Sequence, residues 1–371
     1  MRAAKPAALL LGPSRQAMSG VSTHINLLLP SPLAAQFALA HFQVGSEGRS
    51  EGALARLLRI AASPLQLAAA LVRLDAAIVH INTSLNRAYW RDLAYLAVAK
   101  LCGARVVYQV HGGALPLDFL RNGLGRKFLK ATLMWPDAVV VLAAEELRAY
   151  REFVPAQNVL ALPNGIDCAP YLRYNRAPCD PRTPLKLVYI GRLAREKGLY
   201  EAIEALALAR AQGVAARLVI AGGGPEEAGL KQRARELALG AEVSFTGPVE
   251  GEHKALLLSQ ADALLLASYA EGLPYALLEG MAAGAVPIAT RVGAIPDVMS
   301  DGVHGVLVAA RDPQAIARAV ARLSRERPTL ARMSAASRKR IATAYSIERL
   351  AAELSALYAA LCDLRSPKAV L

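Results

Sequence analysis

Short apolar runs alternate with longer segments of helical periodicity along most of the chain. In the first half, the apolar runs predict strands at residues 7–11, 78–81, 106–110, 138–142 and 159–162. The intervening segments predict helices at residues 20–29, 53–72, 87–101, 124–133 and 144–150. Strands and helices that alternate in this way form a parallel sheet covered on both faces. A further strand near 37–44 is poorly defined by the sequence.

The same alternation restarts after a segment at 169–184 that is rich in proline and charge and is the predicted linker. Strands are then predicted at 185–190, 216–221, 243–245, 263–266, 286–289 and 305–308, followed by an all-helical segment from 312 to 360. We therefore expect an α/β protein with two Rossmann-like doubly wound domains, at 1–168 and 185–345, facing a cleft. A helix within 346–371 fits packing on either domain, and we expect it on the N-terminal one.

Composition narrows the class of protein. The 371 residues are 54% hydrophobic, but no uninterrupted apolar run reaches the roughly eighteen residues that a membrane span needs. The apolar N-terminus resembles a signal peptide, but the apolar run is short for one and equally suits a first buried strand. A cytosolic location is therefore favoured. The net charge of +13 indicates anionic partners, namely nucleic acid, nucleotide phosphates or an acidic membrane surface. Because aromatic residues make up only 5%, nucleic acid is disfavoured.

Two acids bracket the segment E-G-L-P-Y-A-L-L-E, whose proline suits the first turn of a helix at 274–283. Glu271 would lie in the loop before that helix and Glu279 about a turn and a half inside it. Backbone N–H groups of Gly272 and Leu273 would lie between them, at a positive helix terminus suited to a phosphate. Chance supplies roughly two acidic pairs at this spacing, so two unrelated solvated acids are the alternative.

Two glycine-rich turns follow predicted strands in the second half. The first, G-R-L-A-R-E-K-G at 191–198, leads into a helix. In it the forked guanidinium of Arg192 and the ammonium of Lys197 suit a diphosphate, although a solvated charged loop is the alternative. The second turn, G-G-G-P at 222–225, contains Gly223 and fits either a tight turn or a surface for a base or ribose.

Two further candidates lie in the first half. His111 directly follows a predicted strand and precedes two glycines, which favours a substrate contact over the structural role that lone histidines usually have. Gly20 ends the loop that follows the first strand, and this loop lacks the G-x-G-x-x-G spacing of a dinucleotide site. The loop is either an ordinary connection or one in which Gly20 lets a substrate approach the backbone.

In order and spacing, these segments resemble the family 4 glycosyltransferases, which are retaining enzymes of the GT-B fold that use nucleotide sugars. The resemblance spans nearly the whole chain and includes S-F-T-G at 244–247, P-N-G-I-D at 163–167 and the segment G-M-A-A-G-A-V-P-I-A-T that follows Glu279. One departure is G-A-I-P-D at 293–297, where the family often has a second glycine and a glutamate. The shorter acid leaves a sugar contact there open.

The resemblance implies a role for each candidate. Arg192 and Lys197 would hold the donor diphosphate, Glu279 the ribose hydroxyls and Glu271 the hydroxyls of the transferred sugar. His111 would lie beside that sugar at the reacting centre. The predicted catalytic residues are His111, Arg192, Lys197 and Glu271. The predicted nucleotide-binding residues are Gly20, Arg192, Lys197, Gly223, Gly272, Leu273 and Glu279.

We therefore expect retaining transfer of a sugar from a nucleotide-diphosphate donor to a saccharide, lipid-linked or small-molecule acceptor, in bacterial cell-surface polysaccharide or glycolipid synthesis. No residue is a convincing covalent nucleophile, so the departing phosphate is expected to accept the proton. The chain lacks a D-x-D sequence, and we expect no metal and no cofactor besides the nucleotide sugar, with a UDP-sugar favoured. The alternatives are a sugar-nucleotide epimerase or hydrolase of the same fold and a non-catalytic scaffold of a polysaccharide assembly complex.

One segment suggests a membrane partner. Arg121, Arg126, Lys127 and Lys130 alternate with apolar residues after the histidine turn. Such a helix either lies on anionic lipid at the inner face of the cytoplasmic membrane or has a solvated cationic face.

Overall fold

A computed structural model describes residues 5–17, 19–45, 51–84, 89–112, 123–174 and 182–363. The chain divides into two compact units. The first comprises Met1–Gly165 and Ile347–Leu371, and the second comprises Ile166–Ser346. The boundary lies a few residues before the predicted linker, and the first residues of that segment form a short helix in the second unit.

The first unit contains a six-stranded sheet in which every pairing is parallel. Its strands are β1 (Ala7–Gly12), β2 (Ala38–Gln43), β3 (Ala76–Thr83), β4 (Arg105–Val110), β5 (Ala138–Val141) and β6 (Val159–Ala161). They lie in the order β2-β1-β3-β4-β5-β6. Central β3 is buried along its whole length, whereas edge strand β2 is partly exposed. The partial exposure of β2 explains why the sequence at 37–44 shows no continuous apolar run.

Helices cover both faces of this sheet. They are α1 (Gly20–Leu28), α2 (Leu33–Gln36), α3 (Ala53–Leu74), α4 (Tyr89–Leu101), α5 (Gly123–Leu133) and α6 (Ala144–Phe153). On one face, a single apolar cluster includes Leu67 and Leu71 of α3, Tyr95 of α4 and Leu133 of α5. Helices α3, α4 and α5 therefore form one layer.

The second unit repeats the architecture. Its strands are β7 (Leu185–Ile190), β8 (Ala216–Ala221), β9 (Val243–Gly247), β10 (Ala263–Leu266), β11 (Val286–Thr290) and β12 (Val306–Val308), in the order β12-β11-β10-β7-β8-β9. All of their pairings are parallel. Its helices are α7 (Ala169–Leu172), α8 (Leu199–Ala211), α9 (Glu227–Glu236), α10 (Gly251–Gln260), α11 (Tyr275–Ala283), α12 (Ile295–Val298), α13 (Pro313–Arg325) and α14 (Arg327–Ala344). Two doubly wound parallel sheets confirm the predicted fold class.

The last helix, α15 (Ile347–Asp363), belongs to the first unit. Its buried Leu350 and Leu354 join the apolar cluster on the sheet face opposite to α3. Its Tyr358 hydroxyl lies 2.6 Å from Nδ1 of His80 on β3. The C-terminal helix thus completes the second helical layer of the first unit.

Candidate functional site

Two glycine-rich turns are joined at the carboxyl edge of the second sheet. The backbone N–H of Leu193, in the turn after β7, donates to the carbonyl oxygen of Gly223, in the turn after β8 (2.9 Å). A side chain at Gly222 would overlap the carbonyl oxygen of Gly191, so this close approach requires glycine. The two turns therefore form one surface beyond the ends of β7 and β8, where ligands bind in open parallel sheets.

The turn after β7 also contacts the segment that follows β10. Gly198 precedes α8 with a φ of 65°, and a Cβ there would overlap the carbonyl oxygen of Ala267. Nearby, the backbone N–H of Tyr269 donates to the carbonyl oxygen of Glu196 (2.8 Å). These backbone contacts hold the basic turn beside the loop that carries Glu271.

Glu271 is held by two donors. Its Oε1 lies 2.7 Å from Nζ of Lys197 and accepts a hydrogen bond from the hydroxyl of buried Ser268, also at 2.7 Å. The ion pair is mostly enclosed, since the side chains of Lys197 and Glu271 are 21% and 11% exposed. The structure therefore brings together a predicted diphosphate cation and the predicted sugar-binding acid.

Glu279 has its own lysine. Its carboxylate on α11 is buried and lies 2.6 Å from Nζ of Lys254 on α10. Burial raises the pKa of the Tyr171 hydroxyl, and the neighbouring Glu279 carboxylate raises it further. The same two causes, in the same order, raise the pKa of Tyr275. Both tyrosines remain neutral hydroxyls beside this carboxylate.

The other predicted residues of the second unit occupy the same loops. The Arg192 guanidinium is exposed and pairs with the Glu196 carboxylate. Gly272 lies before α11, and its carbonyl oxygen accepts from the N–H of Ala294 (2.9 Å). Pro274 is the residue before α11 rather than its first helical residue, because its ψ of 126° is extended. The neighbouring Leu273 is buried.

In the first unit, His111 lies at the carboxyl end of β4. Its Nε2 is 2.8 Å from Oδ1 of Asn82 on the neighbouring strand β3. The Asn82 amide orientation is fixed because its Nδ2 donates to the carbonyl oxygen of Leu11 (3.0 Å). Oδ1 must then accept, so Nε2 of His111 carries the hydrogen and Nδ1 offers a lone pair.

Three imidazoles cluster here. The His24 ring lies 4.7 Å from that of His111 and 6.4 Å from that of His80, between ring centroids. Burial lowers the pKa of His80 to about 4, and burial together with the nearby His80 lowers that of His111 to about 3. The pKa of His24 is also lowered, first by burial. His111 is therefore a neutral hydrogen-bonding group at physiological pH.

A separate open pocket of about 570 Å³ lies beyond β1 and β2 of the first unit. Its lining is polar and comprises Ser14, Arg15, Gln16, Asn26, His41 and Gln43. Arg15 Nε donates to Asn26 Oδ1 (2.9 Å) across it. The exposed Gly20 is the first residue of α1, and the hydroxyl of Ser19 caps that helix.

Several polar side chains of these clusters escape sequence reasoning, namely His24, His80, Asn82, Tyr171, Lys254 and Ser268. Lys254 lies 25 residues from Glu279 along the chain and meets it only through the packing of α10 on α11. Asn82 has one local signal, since a polar residue within a buried strand requires a partner.

Comparisons with known proteins agree along both units. Residues 176–340 match the family model of glycosyl transferases group 1, and residues 34–170 match that of glycosyltransferase family 4. A putative colanic acid biosynthesis glycosyltransferase of Salmonella typhimurium is 31% identical over 55% of this chain and 51% of its own length. A GDP-mannose-dependent phosphatidylinositol dimannoside mannosyltransferase of Mycobacterium tuberculosis is 34% identical over 56% of this chain and 54% of its own. The chain spans about half the length of the curated relatives it matches.

Solved structures show the same fold. A sucrose-phosphate synthase from Thermosynechococcus elongatus superposes with a TM-score of 0.77 at 20% identity, covering 97% of this chain and 100% of the other. An Anabaena protein solved with UDP and glucose superposes with a TM-score of 0.74 at 16% identity, covering 96% and 100%.

Proposed function

Because the chain belongs to glycosyltransferase family 4, with the GT-B fold, we propose that it transfers a sugar from a nucleotide-diphosphate donor to an acceptor hydroxyl. The observation that carries the proposal is the pair of lysine-bound carboxylates around the glycine turns of the second unit. Lys197 would bind the diphosphate, Glu271 the transferred sugar and Glu279 the ribose. A carboxylate accepts hydrogen bonds from two hydroxyls, which suits the vicinal diols of both sugars.

We propose a UDP-sugar as donor. The Anabaena neighbour was solved with UDP and glucose, whereas the mycobacterial relative is named for GDP-mannose. The base is therefore the part of the donor that experiment must decide first.

For the chemical step we propose retention of configuration without a metal ion. Lys197 and Arg192 would stabilise charge as it develops on the leaving diphosphate. The departing phosphate would accept the proton of the acceptor hydroxyl. Neutral His111 would accept a hydrogen bond from a hydroxyl of the transferred sugar through its Nδ1 lone pair. Because the imidazole is uncharged, it would not attract the phosphate away from Lys197 and Arg192.

The acceptor is proposed to be a saccharide or a lipid-linked molecule of bacterial cell-surface synthesis. The polar pocket around Arg15 and Asn26 offers donors and acceptors suited to sugar hydroxyls. The protein would act in the cytoplasm, at the inner face of the cytoplasmic membrane, where Arg126, Lys127 and Lys130 of α5 would meet anionic lipid. Arg121, the fourth cation of that prediction, lies outside the described residues.

A panel of nucleotide sugars and nucleoside diphosphates identifies the donor, because a ligand bound to the native state raises the unfolding temperature. With that donor, acceptor-dependent release of nucleoside diphosphate tests transfer, and NMR of the anomeric proton tests retention. Lys197→Ala should abolish the stabilisation, whereas Lys231→Ala, which breaks an exposed ion pair with Glu227, should keep it. Donor turnover at the same rate without acceptor would favour an epimerase or hydrolase, and an inverted linkage would exclude the retaining mechanism.

A further inference from the structure

Helix α3 of the first unit carries an apolar stripe that no described part of the chain covers. Leu54, Leu57, Leu58, Leu65 and Val72 are each 64–76% exposed. Their spacing of three, four and seven residues places them on one side of the helix, and Ala61 continues the stripe between them. From residue 54 to residue 72 the stripe is about 27 Å long.

The opposite side of α3 is occupied. Leu67 and Leu71 are buried in the apolar cluster that α3 shares with α4 and α5. By length and composition alone, α3 could cross a membrane. Because its inner side packs in the first unit, however, only its outer side is available to an apolar environment.

The charges within α3 are of one sign, although Glu51 before the helix pairs with Arg59 and Asp75 follows its last residue. Exposed Arg73 flanks the stripe, exposed Arg56 lies on the side of the helix that carries buried Leu67, and α3 itself contains no acidic residue. In the same helical layer, α5 adds exposed Arg126, Lys127 and Lys130, again with no acid. An apolar strip bordered by cations is complementary to a surface with negative groups above an apolar interior, which describes an anionic bilayer.

Further exposed apolar groups lie on this layer. Leu124 and Phe128 of α5 are exposed, and the Trp90 ring of α4 lies 5.6 Å from that of Phe128. Tryptophan is enriched at the boundary between lipid and water. Trp135, just beyond α5, is also half exposed. The outer surface of α3–α5 thus combines aliphatic, aromatic and cationic groups.

We propose that the outer surface of α3 lies in the plane of an anionic membrane, with the Leu54–Val72 stripe among the lipid chains and Arg73 at the headgroups. This inference rests on the proposed membrane location of the enzyme and adds the element that anchors it. The cations of α5 supply attraction that salt screens, whereas the α3 stripe supplies apolar burial that salt does not screen. The acceptor this arrangement favours is one carried on lipid.

Vesicle co-sedimentation of the full chain tests the proposal, with phosphatidylcholine vesicles that contain or lack phosphatidylglycerol. The triple variant Leu54→Gln/Leu58→Gln/Leu65→Gln replaces three of the five large apolar residues of the stripe while keeping side-chain length and helix propensity. We expect wild type to bind the anionic vesicles and the triple variant to bind at least about tenfold more weakly. Val303→Gln, which removes an exposed apolar side chain of the second unit, should bind as wild type does.

Tryptophan fluorescence gives a second readout. The two tryptophans of the chain, Trp90 on α4 and Trp135 just beyond α5, are both exposed in the first unit. Their emission should shift to the blue with anionic vesicles and be quenched by lipids brominated on the acyl chains. Equal binding by the triple variant, or no binding by wild type, would overturn the proposal. The proposal would also be overturned if wild type were a dimer that binds no vesicles and the triple variant were a monomer. In that case a second copy of the chain would cover the stripe.

Stabilisation by nucleoside diphosphate separates this inference from the proposed function. The triple variant should keep that stabilisation, because α3 and the donor-binding candidates belong to different units. If wild type is not stabilised by any nucleoside diphosphate or nucleotide sugar, the proposed function is refuted. If wild type is stabilised by a donor but does not bind vesicles, only the role of α3 is refuted.

Discussion

The buried histidines should make the first unit sensitive to acid. His80 is fully enclosed on β3, and among the described residues its Nε2 has no hydrogen-bond partner. Protonation would therefore place an uncompensated charge in the core. The folded state resists this protonation, which is why the pKa of His80 falls from 6.5 to about 4.

The size and sign of the effect follow from that shift. Because the pKa is lower in the folded state, the unfolded chain binds the extra proton between pH 6.5 and pH 4, and stability is lost as pH falls through this window. Above about pH 6.5 neither state is protonated, and below about pH 4 both are, so the loss levels off. At pH 5, His80 alone should lower the free energy of unfolding by about 2 kcal/mol relative to pH 7.

Urea unfolding followed by tryptophan fluorescence measures this loss, because Trp90 and Trp135 both lie in the first unit. His80→Gln cannot be protonated and should reduce the loss between pH 7 and pH 5 by about 2 kcal/mol. His253→Gln, at an exposed position of the second unit, should leave the wild-type loss unchanged. If His80→Gln lost as much stability as wild type, the reasoning from buried neutral imidazole would be refuted.

Three further predictions concern ligand binding, the reacting centre and the turns. Glu279→Ala should raise the Kd for nucleoside diphosphate, measured by calorimetry, about tenfold. Glu271→Ala should leave this Kd unchanged and lower kcat. Equal losses of nucleotide affinity in the two variants would overturn this division of roles. Asn82→Leu should lower kcat about tenfold at unchanged nucleotide Kd, with partial rescue by Asn82→Asp, which keeps an acceptor oxygen. Gly222→Ala should lower the free energy of unfolding of the second unit by about 2 kcal/mol or more, as measured by differential scanning calorimetry. The control Gly240→Ala should lower it by less than about 1 kcal/mol, because Gly240 has open space around it.

The sequence predicted the buried strands well because parallel strands covered on both faces are continuous apolar runs. Strand β2 escaped this rule because it is an edge strand, and its His41 and Gln43 interrupt the pattern. Helix α3 was predicted within two residues of its observed bounds. Its sequence is apolar on most sides, however, so only the packing of Leu67 and Leu71 shows which side is left exposed.

The candidate site was partly predictable for a related reason. Glu271 and Lys197 follow strand ends, and chain order together with a parallel sheet places such positions at one edge. Their direct ion pair, and the pairing of Glu279 with Lys254, depend on side-chain directions that strand order does not determine. The tautomer of His111 likewise depends on a contact between neighbouring strands, through Asn82.

These ion pairs give the second unit a property that the sequence motifs did not suggest. Each acid proposed to bind sugar hydroxyls is compensated by a lysine before any ligand arrives. An uncompensated carboxylate near the diphosphate would repel it, whereas a lysine-bound carboxylate presents little net charge and still has free acceptor capacity. Since an ammonium group has three donors, Lys197 can bind a phosphate oxygen without releasing Glu271. One ion pair can therefore serve the leaving group and the transferred sugar together, which couples departure of the diphosphate to the position of the sugar.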